Sequence, residues 1–419
     1  MNTAKDWIYN TNIYEVNVRQ YTKEGTFKAF AEHLPRLKEM GVQTLWFMPV
    51  TPISQKNRKG SMGSYYACSD YTSINPEFGT MDDFKNLVTY AHKLKFKVII
   101  DWVANHTGWD HVWTKDHPDW FEKESNGEFK RASGMDDIIE LDFGNKDMRK
   151  AMIEAMKFWV RKFGIDGFRC DLAFWVEFDF WLDAIPQLNE LKPLFWLAEA
   201  DSLDHPAYMQ VFDAAYSWTW MHRTEDWFIK KLPLIELINV LDRYENAPGL
   251  KAWFTSNHDE NSWNGSEYEK YGDAAKTLAV HSCTWPGIPL IYSGQELPNK
   301  KRLGFFEKDV IEWKKHPELH EFYQTLLELK HSNPALNANS EIFQLHTSCD
   351  PTVLAYLRKK DGHEVLVFLN LSNHLVRFDL LDRWINGKFR EVFSHAHNNF
   401  SVERSFEMKA WEWLVFVKE

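Results

Sequence analysis

The chain has 419 residues, which is enough for two or three domains with a large hydrophobic core. Its net charge of −11 at pH 7 argues against a nucleic-acid or anionic-membrane partner, because both bind basic surfaces. Aromatic residues make up 16% of the chain, with 20 Trp, and this richness excludes an intrinsically disordered protein.

The beginning of the chain has no apolar stretch typical of a signal peptide, and no run reaches 18 apolar residues. The four cysteines, Cys68, Cys170, Cys283 and Cys349, are far apart and form no metal-binding or redox pair. Free thiols are typical of a reducing compartment. We therefore expect a cytoplasmic protein that does not span a membrane.

Short apolar runs alternate with amphipathic helical segments over the first three quarters of the chain. Eight of these runs predict strands, at residues 13–18, 42–48, 97–103, 165–171, 195–200, 213–218, 251–257 and 288–293. The clearest helix spans residues 147–163, where apolar side chains recur every three or four positions before Gly164. Eight strands alternating with helices predict a parallel (β/α)₈ TIM barrel. An open doubly wound sheet is the rival, but it would normally carry a glycine-rich phosphate loop, which the sequence lacks.

Two segments depart from the alternating pattern. Residues 107–145 make the third connection too long, so we predict a short lid domain inserted after the third strand. After residue 332 the helices cease and strand patterns follow one another, with a hairpin turn at residues 360–363. The predicted domains are therefore a barrel of residues 1–106 and 146–332, the lid of residues 107–145, and an antiparallel C-terminal β-sandwich of residues 333–419.

Acidic residues stand at the carboxyl ends of three predicted barrel strands. Asp171 ends the fourth strand, Glu199 ends the fifth and Asp259 follows the seventh. Active sites of such barrels are built at these strand ends, so we expect the three carboxylates to converge. Paired carboxylates suit glycoside hydrolysis, in which one attacks the sugar and the other donates a proton. From spacing alone, a metal-dependent hydrolase and a purely structural role also remain open.

Four motifs resemble, in order, the hallmark motifs of the α-amylase family, glycoside hydrolase family 13. They are DWVANH at residues 101–106, GIDGFRCD at 164–171, WLAE at 196–199 and FTSNHD at 254–259. Three weaker motifs agree, at residues 63–71, 141–145 and 287–296. The resemblance covers about residues 7–330, and seven motifs in the correct order are highly specific.

The resemblance implies a role for each acidic residue. Asp171 would be the nucleophile that forms a covalent glycosyl-enzyme, and Glu199 would be the general acid and base. Asp259 would bind sugar hydroxyls beside the anomeric carbon. The resemblance also implies substrate-binding roles for Tyr66, His106, Arg169, His258 and Trp175, with Arg169 keeping Asp171 ionised.

The sequence departs from the family pattern just after the nucleophile. Family members with a structural calcium commonly carry Lys-His there, whereas this chain has Phe174 and Trp175. We therefore expect that no cofactor is required. If calcium were bound, Asn105 would be its ligand, with Asp136 or Asp137 assisting.

The sequence therefore predicts a retaining α-glycosidase that acts on α-1,4-linked glucans such as maltodextrins, with an α-glucan oligosaccharide as its binding partner. One alternative is an α-glucan transglycosylase with the same residues, motivated by the apolar Phe174 and Trp175 on the acceptor side. The other is a non-catalytic carbohydrate-binding protein, against which the intact trio of carboxylates argues. The sequence carries no prediction of oligomeric state.

Overall fold

The computed structural model describes residues 5–419, so the first four residues, on which the prediction about a signal peptide partly rests, lie outside it. The strands of the first 300 residues are β1 (Ile13–Val16), β2 (Thr44–Phe47), β3 (Lys97–Trp102), β4 (His106–Gly108), β5 (Ile138–Glu140), β6 (Gly167–Cys170), β7 (Phe195–Asp201), β8 (Ala214–Tyr216), β9 (Leu250–Trp253) and β10 (Ile288–Tyr292). All except β4 and β5 close into one parallel barrel in the order β1-β2-β3-β6-β7-β8-β9-β10. The predicted TIM barrel is confirmed, with each of the eight predicted strands in place.

Helices surround the barrel. They are α1 (Val18–Tyr21), α2 (Phe27–Ala31), α3 (Leu34–Glu39), α4 (Met81–Lys93), α5 (Trp113–Asp116), α6 (Lys146–Phe163), α7 (Phe178–Asn189), α8 (Trp218–Lys230), α9 (Ile235–Glu245), α10 (Glu267–Tyr271), α11 (Ala275–Thr284) and α12 (His320–Ser332). The predicted helix of residues 147–163 is α6. The Asn145 side chain accepts the first free N–H groups of α6, and Gly164 ends the helix with a φ of 68°.

The barrel interior is filled by side chains. Ile13, Trp46, Ile99, Leu197 and Ile288 are fully buried there, so the barrel is a packed core with no channel through it. A ligand can therefore bind only at an end of the barrel, where connecting loops leave room. Catalytic side chains belong at the carboxyl end, because that is where the longer βα connections lie.

Between β3 and α6 the chain makes a small antiparallel unit over this end of the barrel. Strands β4 and β5 pair with His106 opposite Glu140 and Gly108 opposite Ile138. The indole of Trp109 donates to the Asp136 carbonyl at 2.8 Å, which ties the two arms of the unit together. The insertion thus begins at His106 in β4 and ends in β5, which pairs with β4.

The C-terminal domain is an antiparallel β-structure of two sheets. Its strands are β11 (Glu341–Leu345), β12 (Val353–Lys360), β13 (His363–Asn370), β14 (Val376–Asp379), β15 (Lys388–Glu391), β16 (His397–Asn399), β17 (Ser405–Met408) and β18 (Trp413–Lys418). Six strands form one sheet, and β14 pairs with β17 in the other. Rings of the two sheets meet between them: Phe368 lies 5.3 Å from Phe378 and 5.2 Å from Phe406. This arrangement confirms the predicted sandwich.

Two further predictions concern the chain's environment. All four cysteines are free thiols within the described part of the chain, three of them buried. No helix between residues 5 and 419 is long and apolar enough to cross a bilayer.

Candidate active site

The three predicted carboxylates meet at the carboxyl end of the barrel. Asp171 follows β6, Glu199 lies within β7, and Asp259 lies six residues after β9. All three line one cavity of about 530 Å³, together with Tyr66 and His106. This volume lies within the range of about 300–1,000 Å³ that is common for small-molecule sites.

Arg169 joins the two carboxylates that the chemistry requires. Its Nη1 lies 3.1 Å from Asp171 Oδ1, and its Nη2 lies 2.7 Å from Glu199 Oε2. Nη1 also donates to Asp101 Oδ1 at 2.9 Å. Asp101 was not among the predicted site residues. The guanidinium is fully buried and so contacts the carboxylates from below without lining the cavity. One rigid fork therefore holds Asp171 and Glu199 side by side.

The protonation of this pair follows from its burial. Burial raises the pKa of the Asp171 carboxyl, the neighbouring charge of Glu199 raises it further, and Arg169 opposes both. Arg169 therefore favours the ionised form of Asp171 but does not cancel the effect of burial on the pKa of this carboxyl. Asp171 Oδ2 is buried without a hydrogen-bond partner among residues 5–419, so it is left for a ligand.

Glu199 is oriented by the backbone beside the nucleophile. The Leu172 N–H donates to Glu199 Oε2 at 2.9 Å. Leu172 adopts a left-handed conformation, with a φ of 38°, which costs a branched residue free energy. Because Oε2 is used by Arg169 and Leu172, Oε1 is the oxygen that can carry the transferable proton.

His258 lies behind the cavity and connects its walls. Its Nδ1 is 2.5 Å from Glu15 Oε1, and its Nε2 is 2.7 Å from the Tyr66 hydroxyl and 3.3 Å from Asp259 Oδ2. Burial lowers the pKa of His258, but the charges of Asp259 and Glu15 and the Glu15 hydrogen bond outweigh it and raise the pKa to about 9. His258 is therefore an imidazolium at neutral pH, donating toward Glu15 and toward Tyr66 and Asp259.

Glu15 was not predicted as a site residue, although its place in the sequence carries a signal. Glu15 is a fully buried acid in β1, whose other residues are apolar or aromatic. A charged residue inside a strand that is buried along its whole length needs a charged or hydrogen-bonding partner. The residue type therefore pointed to a polar network, but nothing in the sequence identified His258 as the partner.

Aromatic rings build one wall of the cavity. Tyr66 is buried and parallel to Phe305, with ring centroids 6.3 Å apart and an interplanar angle of 19°. Phe305 contacts Trp263 at 5.3 Å, and Trp263 is 53% exposed at the rim. Flat rings of this kind suit the apolar faces of sugars, and the sequence analysis had singled out Tyr66 alone.

The two remaining predicted substrate contacts differ in their placement. His106 lines the cavity, burial lowers its pKa to about 4, and its Nε2 has no partner within the described chain. A neutral imidazole with a free nitrogen is available to a hydroxyl group. Trp175 ends a short 3₁₀ turn after Asp171, is partly buried, and lies outside the cavity lining. Its neighbour Phe174 stacks on His205 with centroids 4.5 Å apart.

The residues considered for calcium do not fit a cation site. Asp137 is paired with Lys59 at 2.7 Å, and Asp136 with Arg131 at 3.3 Å, so each carboxylate already faces a positive charge. The backbone carbonyl of Asn105 accepts the Leu141 N–H at 3.1 Å, and the side-chain nitrogen of Asn105 lies 3.4 Å from His106 Nδ1. Calcium needs six to eight oxygen ligands. Residues 5–419 contain no group of three acidic, histidine or cysteine side chains that could hold a metal ion.

Comparisons with known proteins identify the family and the fold. The family described as the α-amylase catalytic domain matches residues 6–129, and the maltogenic amylase C-terminal domain matches residues 343–415. A crystal structure of a noncanonic maltogenic α-amylase from Thermotoga neapolitana superposes with a TM-score of 0.89 at 30% identity, covering 98% of this chain and 99% of that one.

Two curated relatives are longer than this chain. Alpha-amylase 2 of Dictyoglomus thermophilum is 25% identical over 410 residues, covering 91% of this chain and 69% of the relative. An α-1,4-glucan:maltose-1-phosphate maltosyltransferase of Rhodospirillum rubrum is 26% identical over 443 residues, covering 96% of this chain and 62% of the relative. The similarity therefore runs through the barrel and the C-terminal domain alike.

Proposed function

The chain belongs to the α-amylase family of glycoside hydrolases, and from this premise we propose that it hydrolyses α-1,4-glucosidic bonds of maltodextrins with retention of configuration. The observation that carries the proposal is the Arg169 fork, which holds Asp171 and Glu199 together in a cavity of oligosaccharide size. A retaining mechanism needs two carboxyls close enough for one to attack while the other protonates the leaving oxygen.

In the first step, Asp171 Oδ2 attacks the anomeric carbon while Glu199 Oε1 donates its proton to the glycosidic oxygen. The C–O bond to the leaving sugar breaks, and an ester to Asp171 forms. Glu199, now ionised, remains within reach of Arg169 and the Leu172 N–H, which stabilise its charge. In the second step, Glu199 takes a proton from water, and the water oxygen attacks the anomeric carbon from the face that the leaving sugar vacated, opposite Asp171. The ester bond breaks, Asp171 is released as a carboxylate, and Glu199 is protonated again.

The surrounding groups favour the transition state of both steps. Asp259 lines the cavity beside the imidazolium of His258, so a negative charge is held where the sugar ring becomes cationic. Tyr66 offers a ring face at the same point and donates its hydroxyl proton to Asp101 Oδ2 at 3.1 Å. His106 presents its unpartnered nitrogen to a sugar hydroxyl.

Two narrower properties belong to this proposal. The ion pairs of Asp136 and Asp137 support activity that is independent of calcium. The free cysteines support a cytoplasmic location. The presence and orientation of the Asp171 and Glu199 carboxylates argue against a non-catalytic role.

Transglycosylation is a second candidate, favoured by the apolar surface next to the nucleophile. Phe174, two residues after Leu172, stacks on His205, so the segment that follows Asp171 consists mainly of apolar and aromatic residues. A sugar acceptor stacked there would compete with water for the glycosyl-enzyme. The maltosyltransferase relative shows that such transfer occurs on related chains.

A time course with maltoheptaose tests the proposal. The wild-type protein should produce shorter sugars, and Asp171→Asn should produce none while unfolding cooperatively. Products longer than maltoheptaose would favour the transglycosylase. If neither protein changed maltoheptaose or shorter maltodextrins, the proposed function would be wrong.

A further inference from the structure

We propose that the Lys59–Asp137 ion pair closes the donor side of the substrate cavity, so that the enzyme binds the non-reducing end of a glucan and releases short sugars. The inference rests on the proposed function and specifies its mode of attack. It concerns two residues for which the sequence analysis gave no role in substrate selection.

The ion pair joins two separate connecting segments of the chain at the cavity. Lys59 belongs to the connection between β2 and α4, whereas Asp137 belongs to the insertion between β3 and α6. Lys59 Nζ lies 2.7 Å from Asp137 Oδ1, and both residues line the cavity that holds the three carboxylates. The Asp137 side chain is only 6% exposed, so this contact is more than a solvated surface pair.

The Lys59 segment is held by hydrogen bonds to a neighbouring loop, so it forms a fixed wall of the cavity. The Met62 N–H donates to the Phe306 carbonyl at 2.9 Å, and the Ser61 N–H donates to Glu307 Oε1 at 2.9 Å. Lys59 Nζ also lies 5.9 Å from the centre of the Phe306 ring. The segment is therefore attached to the connection after β10 as well as to the insertion.

The contacts place this wall on the donor side of the cleavage point. Tyr66 belongs to the same connection as Lys59 and is stacked on Phe305, whose chain neighbour Phe306 lies against Lys59. The aromatic wall thus runs from Tyr66, under the sugar that Asp171 attacks, to Lys59. In the proposed mechanism the leaving sugar lies beside Glu199, whose carboxylate accepts the Leu172 N–H.

A closed donor side changes which bonds can be cut. A glucan chain cannot continue past the ion pair, so only the last few sugars before the non-reducing end fit between Lys59 and Asp171. The ammonium and carboxylate keep hydrogen-bonding capacity for the terminal hydroxyls, because an ammonium has three donors and a carboxylate two oxygens. Binding of the chain end is thereby favoured over binding within a chain.

The test compares two p-nitrophenyl maltoheptaosides, one with a free non-reducing end and one blocked there by a 4,6-O-ethylidene group. The wild type should cleave the free substrate at least about tenfold faster, since a pocket built to hydrogen-bond hydroxyls rejects an analogue that lacks them. Lys59→Ala, which removes both stem and charge, should bring the two rates together. Its products from maltoheptaose should also shift from short sugars to a broader range.

Lys59→Met and Asp137→Asn keep the volume of the side chains and remove the ion pair, so they should reduce the same preference. Lys150→Ala removes an exposed lysine ion pair, with Asp147 on α6, and serves as the control for loss of a lysine charge outside the cavity; its ratio should be unchanged. Equal wild-type rates on both substrates, or a ratio unchanged in all three variants, would overturn the inference while leaving hydrolysis intact. No cleavage of either substrate would instead refute the proposed function itself.

Discussion

Replacing Glu15 by Gln should move the alkaline limit of catalysis to lower pH. Glu15 is fully buried, and its Oε1 accepts from His258 Nδ1 at 2.5 Å, so the substitution keeps the shape and removes the charge. His258 does not line the cavity, yet its Nε2 contacts both Tyr66 and Asp259. Glu15 is therefore a positioning residue, and it acts by keeping His258 protonated.

The size of the effect follows from the hydrogen bond that is lost. A hydrogen bond to a charged group contributes about 1.5–3 kcal/mol. Since one pKa unit corresponds to about 1.36 kcal/mol, the pKa of His258 should fall from about 9 to about 7 or 8 in the variant. Because folding raises the pKa of His258, the imidazolium stabilises the folded protein. This stabilisation is complete below about pH 6.5 and is lost as the pH rises to about 9.

The assay uses α-maltosyl fluoride, whose leaving group needs no proton from Glu199. The pH dependence of kcat/KM on this substrate then reports His258 without interference from the general acid. The wild type should remain active to about pH 9, and the Glu15→Gln variant should lose activity about one to two pH units earlier.

Glu267→Gln is the matched control. Glu267 is also a buried glutamate, at the start of α10; its Oε1 accepts from the Thr255 hydroxyl, and its charge is not among those that raise the pKa of His258. Its substitution should leave the alkaline limit where it is in the wild type. If Glu15→Gln folded and showed the wild-type pH profile, the assigned role of Glu15 would be refuted.

Three further predictions concern the carboxylates and calcium. Asp171→Asn should lower turnover by at least about 10⁴-fold, because the nucleophile is lost. It should also raise the unfolding temperature, because burial raises the pKa of Asp171 and its ionised form costs folding free energy at neutral pH. A lower unfolding temperature in calorimetry would contradict this. Glu199→Gln should lower kcat/KM on maltodextrins about 10²–10⁴-fold and spare glycosylation by α-maltosyl fluoride, which stopped-flow fluoride release measures. Excess EDTA should change neither the initial rate nor the unfolding temperature, whereas a loss restored by calcium would reveal a cation site.

The parts of the structure that could be predicted from sequence are those fixed by local pattern. The barrel strands are short apolar runs between amphipathic helices, and each such element can be recognised from its own sequence, as β3 and α6 show. Asp171, Glu199 and Asp259 could be placed together because the carboxyl ends of barrel strands share one rim. Strands β14 and β17 escaped prediction because, although they are as long as several barrel strands, some of their side chains are exposed and they form no continuous apolar run.

The parts that escaped prediction depend on which distant loops meet. Lys59 and Asp137 are 78 positions apart on two irregular connections, and no spacing rule brings them together. Glu15 lies in β1, His258 follows β9, and β10 lies between these two strands. The contact between Glu15 and His258 therefore exists only because the barrel closes. Arg169 was expected beside Asp171, but its contacts with Asp101 and Glu199 need three neighbouring strands in register.

The central claim is a double displacement through Asp171, and the stereochemistry of the first product tests it most directly. Proton NMR of a maltodextrin digest, recorded before the anomers equilibrate, distinguishes the newly released reducing ends. The Asp171–Arg169–Glu199 arrangement predicts that the α-anomer appears first and the β-anomer only by later mutarotation. Initial release of the β-anomer would show a single displacement by water and would contradict the assignment of Asp171 as nucleophile.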